Sequence, residues 1–353
     1  MPDETAVEPI GSRVRLTGIS SRAWEHPADR GALVALRKLS GFDYVLRKLA
    51  SLWNERALRL VYVGSAVRVD HHQFAAMHLA YADAAATLDV QELPELYVIA
   101  EPTPMAMTIG IDRPLIIVSS GLVDLLDDDE LLFVLGHELG HVLSGHALYT
   151  TMLLQLMRMS NTVSWVPFGA LGIRAVLAAL HEWSRKAELS SDRAGLLAGQ
   201  DPSAALRVHM KLAGGGHLAD LDIASFRAQG DEYLASPDLR DSLLKLMLLE
   251  ARSHPLAVVR AAELSRWVDG GEYTQILGGN YTRRDEDSDV SIGDEVTDAA
   301  RHYSGAFEHS QDALASMLRD VGNGLGAGLG GVRDWVTSKF PRDRSAADEP
   351  GES

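Results

Sequence analysis

Apolar residues fall at helical spacing along 26–60, with Leu33, Leu36 and Leu39 in one set and Val45, Leu46 and Leu49 in the next. The Ser40–Gly41 pair interrupts the pattern, so two helices are expected there. Residues 71–90, HHQFAAMHLAYADAAATLDV, read as a third amphipathic helix. The period then changes. ELYVIAE at 95–101 and PLIIVSSGL at 114–122 are β-rich, and MAMTIGIDR between them reads as a short third strand ending in a turn. A small antiparallel sheet is expected.

Helical periodicity returns at LLFVLGHELGHVLSGH, residues 131–146, where Leu131, Leu132, Val134 and Leu135 supply one buried flank. The acidic run DLLDDDE before it complements the positive end of the helix dipole. Further helices are predicted over about 175–199, 201–213, 220–228, 238–251 and 255–268. The fold class is therefore α+β, mainly α, with the small sheet flanking the histidine-bearing helix. Residues 1–21 are expected to be a disordered N-terminus and 22–270 a single domain. An acidic linker at 271–298, a Gly-rich helical extension at 299–340 and a disordered tail at 341–353 are expected to follow.

The most apolar region, 148–180, tests for membrane insertion. Arg158, Asn161, Pro167 and Arg174 break it, and no unbroken run reaches the ~18 residues a span needs. Two core helices joined around Pro167 and Gly169 are expected. Membrane association through this region or the C-terminal extension is the disfavoured alternative. The polar, acidic start MPDETAVEPIGSRVRL predicts no leader and a cytoplasmic location.

Composition narrows the chemistry. The 353-residue chain is 46% hydrophobic and 23% charged, enough to bury a sizeable core. Its net charge of −16 argues against nucleic acid as a partner. With no cysteine, a transition metal can be held only by histidine and carboxylate.

His137 and His141 lie four apart and so share a helix face, the bite that a His-x-x-x-His pair offers zinc. Glu138 stands about 100° round the helix, placed to reach a metal-activated water without ligating. A third ligand is available in SRKAELSSDRAG at 184–195, where Glu188 and Asp192 share a face. Glu188 completes a His-His-Glu set with an open fourth position, and Asp192 can orient a ligating histidine. On spacing alone the two carboxylates equally suit a solvated helix face. His146 lies 100° off the ligand face and is expected to be buried or to line the cleft wall. His71, His72 and His78 have no carboxylate set and are read as structural, and EHPADR at 25–30 is read as a helix start without chemistry. The glycines of GNGLGAGLGG at 322–331 lack the Gly-Lys-Ser/Thr ending and preceding strand of a phosphate loop.

HELGH followed by SRKAELSSDRAG resembles the HtpX-like and CAAX-prenyl-protease-like zinc metallopeptidases. These are gluzincins, with a His-Glu-x-x-His and then a Glu-x-x-x-Asp pattern. The segments PLIIVSSGLVDLLDDDELLFVLGHELGH and SHPLAVVRAAEL share the resemblance, the latter with Ser253 in place of threonine, and it extends over about 22–266. It implies a zincin-like fold with one zinc per chain, held by His137, His141 and Glu188. Glu138 would be the general base and Asp192 the orienting carboxylate. His254 would help stabilise the oxyanion, with Arg260 as its structural companion. Where the family has Asn-Ala in the edge strand lining the cleft, this chain has Met105 and Ala106. The long membrane hairpins of the integral members are missing. The resemblance points to endopeptidase action on an extended or unfolded polypeptide, in protein quality control. The rival is a zinc-stabilised scaffold or chaperone-like peptide binder, which has no use for Glu138.

Overall fold

The computed structural model describes residues 13–38, 54–163, 169–235 and 256–289. Its centre is a helix, and the other elements are best introduced around it in chain order. Helices α1 (Pro27–Lys38) and α2 (Glu55–Ser65) lead to strand β1 (Val67–Arg68), helix α3 (Ala75–Thr87) and strands β2 (Glu95–Ile99), β3 (Ala106–Ile109) and β4 (Leu115–Ser119). Then come α4 (Ser120–Leu125), α5 (Asp128–Leu143), α6 (His146–Val163) and the long α7 (Gly169–Gly199). Helices α8 (Pro202–Gly214), α9 (Ile223–Ala235), α10 (Ala257–Asp269) and α11 (Glu272–Leu277) complete the described chain.

Helix α5 starts sharply. Asp127 accepts the Glu130 N–H while the Glu130 side chain accepts the Asp127 N–H, so two backbone donors at the helix start are satisfied reciprocally. Glu130 is fully buried and also takes Lys211 Nζ at 2.5 Å and Arg207 Nε at 2.9 Å from α8. Residues 130–141 are then buried without interruption, which makes α5 the spine of the core.

The close partner of α5 is α7, and glycine permits the approach. A Cβ on Gly136 would lie 2.3 Å from Ala198 Cβ, and one on Gly140 would lie 2.6 Å from Ala194 Cβ. A Cβ on Gly195 would meet Phe133 O at 2.7 Å. None of these neighbours is the loose end of a long side chain, so nothing cheap can give way.

The sheet is mixed, not antiparallel as the sequence suggests. Its order is β1-β2-β4-β3, with β2 parallel to β4 (Glu95 opposite Leu115) and β3 antiparallel to β4 (Ala106 opposite Val118). Strands β3 and β4 form a hairpin whose turn uses Gly110 at φ 132°, where a Cβ would strike Pro114 Cα at 2.7 Å. The returning strand β4 inserts between β2 and β3 and so runs parallel to β2. Every residue of β4 is buried. A strand covered on both faces shows no alternation, so its neighbours cannot be read from pattern. Strand β3 is left as a sheet edge.

The expected disordered N-terminus and acidic linker are both revised. Leu16 and Ile19 are core residues, and Leu16 N donates to Thr87 O at 2.9 Å. Ser20 N donates to Thr282 O at 3.0 Å, Arg284 N donates to Gly18 O at 2.9 Å, and Tyr273 and Ile276 of α11 are buried. Residues 13–21 and 271–289 therefore belong to the folded body. The apolar signal at Leu16 and Ile19 is too short to stand out beside charged neighbours. The expected helices around Val45 to Leu49 and at 238–251, together with the extension and tail, lie outside the described residues. Among the described residues no helix is long and apolar enough to cross a membrane. Helices α6 and α7 flank the Pro167 region where two helices were expected.

Gly136→Ala should lower stability by about 1–3 kcal/mol despite alanine's better helix propensity, because the added methyl overpacks the contact. Adding Ala198→Gly should recover part of the loss in thermal unfolding.

Candidate metal centre

Three side chains of α5 converge in the core: His137, Glu138 and His141 are 3%, 1% and 8% exposed. Their ligand atoms lie within 4.8 Å of one another. The two Nε2 atoms face each other at 3.1 Å. From α7, Glu188 brings Oε2 to 3.6 Å from His137 Nε2 and Oε1 to 3.4 Å from His141 Nε2. Two nitrogens bound to one tetrahedral ion at ~2.0–2.1 Å stand about 3.3 Å apart. The observed spacing fits that geometry, and the donor set of two imidazoles and a carboxylate suits a divalent ion. Glu138 is within range by distance, but its carboxylate is engaged elsewhere. Thr108 Oγ1 on β3 donates to Glu138 Oε2 at 2.6 Å.

The row Gly136–Gly140 is adjacent to the row His137–His141 on α5. The α7 ridge that packs on the glycines continues through Asp192 and Glu188. Close helix packing and delivery of the carboxylates are thus one event.

Asp192 Oδ1 accepts from His137 Nδ1 at 3.0 Å, which fixes that ring with Nε2 bare. Arg260 of α10 holds Asp192 with both arms of its guanidinium, Nε to Oδ2 at 2.7 Å and Nη2 to Oδ1 at 2.5 Å. Its Nη1 lies 2.8 Å from Glu188 Oε2, an ionic contact off the hydrogen-bond line. Burial alone would raise the Asp192 carboxyl, but the Arg260 charge outweighs it and holds the group well below the usual carboxylate range. Burial pushes both His137 and His141 below the ordinary histidine value, against the pull of their carboxylate neighbours. Both rings are therefore neutral at pH 7, as ligands must be.

His146 is 2% exposed, as expected for a buried residue, but its role is more specific than lining a wall. Its Nδ1 is 3.0 Å from His141 Nδ1 and its Nε2 is 3.0 Å from Asp29 Oδ2. Burial lowers its pKa, but the Asp29 charge and hydrogen bond more than offset this, so the net shift is upward. Asp29, in the segment read as a chemistry-free helix start, also accepts Trp183 Nε1 at 2.9 Å and Ser190 Oγ at 2.6 Å. Sequence reasoning missed Asp29 and Thr108. The only hint of Asp29 was its place one turn into a proline-started helix, and Thr108 sits in a strand too short to show which face is buried.

Ala106 opens β3 and is buried, and Met105 just before it pairs with Ser119, donating its N–H to Ser119 Oγ and accepting from Ser119 N, both at 2.9 Å. His254 lies outside the described residues.

A small mixed sheet laid beside a buried helix that carries His-Glu-x-x-His, with a carboxylate presented by a second helix, is the arrangement of a metallopeptidase. Residues 71–268 match peptidase family M48, and the chain belongs to that family. It is 35% identical over 259 residues to the plastoglobule-localized metallopeptidase 48 of the Arabidopsis thaliana chloroplast, covering 72% of this chain and 74% of that one. Protease HtpX homologs are similar over a shorter stretch. That of Tropheryma whipplei is 33% identical over 81 residues (22% of this chain, 28% of the relative). That of Lactobacillus helveticus is 34% identical over 74 residues (20% and 25%). No solved structure matches the chain.

Arg260→Met should cost about 3–5 kcal/mol of stability in denaturant unfolding, since it strands two buried carboxylates. Arg260→Lys should not restore it, because a point charge cannot reproduce the two-armed contact.

Proposed function

We propose that the chain is a zinc-dependent endopeptidase that cleaves extended or unfolded polypeptides, with His137, His141 and Glu188 as the ligands. The observation that carries the reading is the convergence of the two Nε2 atoms and the Glu188 carboxylate, with Glu138 beside them and held by Thr108. A bound zinc would polarise the scissile carbonyl and lower the pKa of water. Glu138 takes the water's proton and later hands it to the leaving amine. Thr108 holds Oε2 and fixes the carboxylate's direction, so it is a positioning residue for the base. Strand β3, at the end of the sheet order, is the element we assign to receive an extended substrate strand by backbone pairing. His254 is assigned to the oxyanion, the role that the family resemblance implies for it. A scaffold that binds peptides without cutting gives no account of a buried carboxylate oriented by a threonine beside the ligand set. We further propose that such an activity serves protein quality control.

The direct test is digestion of casein by the zinc-loaded chain beside Glu138→Gln. The parent should cleave, and the variant should lose at least ~100-fold in rate, the scale of a general base, while holding the same one zinc. Equal zinc with no cleavage by either chain would favour the scaffold.

Thr108→Val keeps the shape and removes the hydroxyl. It should reduce kcat by roughly 10-fold, about one hydrogen bond to a charged group, with KM and zinc content unchanged. Thr108→Ser should restore the rate. A Thr108→Val enzyme with parental kcat would dismiss the positioning role.

A further inference from the structure

We infer that Asp29, acting through His146, fixes the orientation of the His141 ring, and so is a positioning residue for the metal centre. The inference rests on the zinc reading above. Each ligand imidazole is then backed by a carboxylate, directly for His137 and through one intervening ring for His141.

The chain of reasoning starts at Asp29, on the first turn of α1 and 117 residues before His146. It is 2% exposed and surrounded by donors: Trp183 Nε1 on one oxygen, Ser190 Oγ and His146 Nε2 on the other. An ionised carboxylate can only accept, so His146 Nε2 carries a hydrogen. The other nitrogen of the ring, His146 Nδ1, lies 3.0 Å from His141 Nδ1. His141 is thus held at Nδ1, with Nε2 turned toward His137 Nε2 and Glu188, as ligation requires.

A rotation of the His141 ring would carry Nε2 away from Glu188, and Asp29 opposes it by anchoring His146 at its far nitrogen. The surroundings prevent the rings from swinging out of this order. Trp183 packs edge-on against His146 at 5.4 Å between ring centres while donating to Asp29, and Ser190 lies on the same α7 that carries Glu188. Helix α1 is thereby tied to the metal centre although it contributes no ligand.

The test is zinc affinity of the full chain, measured by competition with a chromogenic chelator. His146→Leu and Asp29→Asn should each weaken zinc binding by about 10–100-fold, the usual effect of losing such a partner. His146→Asn, whose amide takes the place of Nδ1 as hydrogen-bond partner for His141, should recover part of the loss. Because the two residues act in series, Asp29→Asn with His146→Leu should bind no more weakly than His146→Leu alone. Parental affinity in the folded single variants overturns the inference, and so do losses that multiply in the double variant. If the unaltered chain takes up no zinc at all, the zinc reading itself fails, which is distinct from tight binding that ignores Asp29 and His146.

Discussion

The site depends on two helices approaching closer than ordinary side chains allow. Gly136 and Gly140 remove the Cβ atoms from one row of α5, and Ser191, Ala194, Gly195 and Ala198 offer only small groups in return. The neighbouring row of α5 carries the histidines, and the same ridge of α7 carries the acids. Widening the gap by one methyl would carry Glu188 away from both Nε2 atoms along with the backbone that bears it. Packing density and chemistry are therefore set by the same few residues.

Electrostatics completes what packing begins. Glu188 and Asp192 are two buried anions one helical turn apart, a costly pair without a counter-charge. Arg260 supplies it from a third helix, and its planar fork meets Asp192 at two points while its remaining nitrogen lies against Glu188. Glu138 is held separately, from the sheet, by Thr108. The histidine pair with Glu138, the two acids, Arg260 and Thr108 thus come from α5, α7, α10 and β3 respectively, and none of them stands on a loop. Such a site keeps its geometry because each element is locked by the core it belongs to.

Much of this was legible in the chain. Two-residue periodicity gave way to helical spacing where the structure changes from strand to helix, and the i, i+4 pairs at 137/141 and 188/192 do share faces. The Gly136-x-x-x-Gly140 spacing inside GHELGH was also there to be read as a contact surface. What was illegible has physical causes. The direction of β4 depends on which strand it lands beside, and a strand buried on both faces carries no mark of that. Asp29 and Thr108 earn their roles only through partners more than 25 residues away, at Ser190, Trp183 and Glu138. Local pattern registers periodicity within a helix or strand, whereas these contacts are properties of the assembled core. Residues 13–20 were missed because their partners, too, are distant in the chain, at Thr87, Thr282 and Arg284.

That last feature bears on how the protein is made. Ser20 Oγ bonds Asp287 at 2.8 Å across 267 positions, and Tyr281 OH reaches Thr17 O across 264. A chain emerging from the ribosome has exposed both histidines, Glu188 and Arg260 before either of these long-range contacts can form. The strap that closes the body is thus the longest loop to shut and, among the described residues, the last to be synthesised. Until it shuts, Leu16 and Ile19 lack a cover, and the half-built protein presents apolar surface to its surroundings.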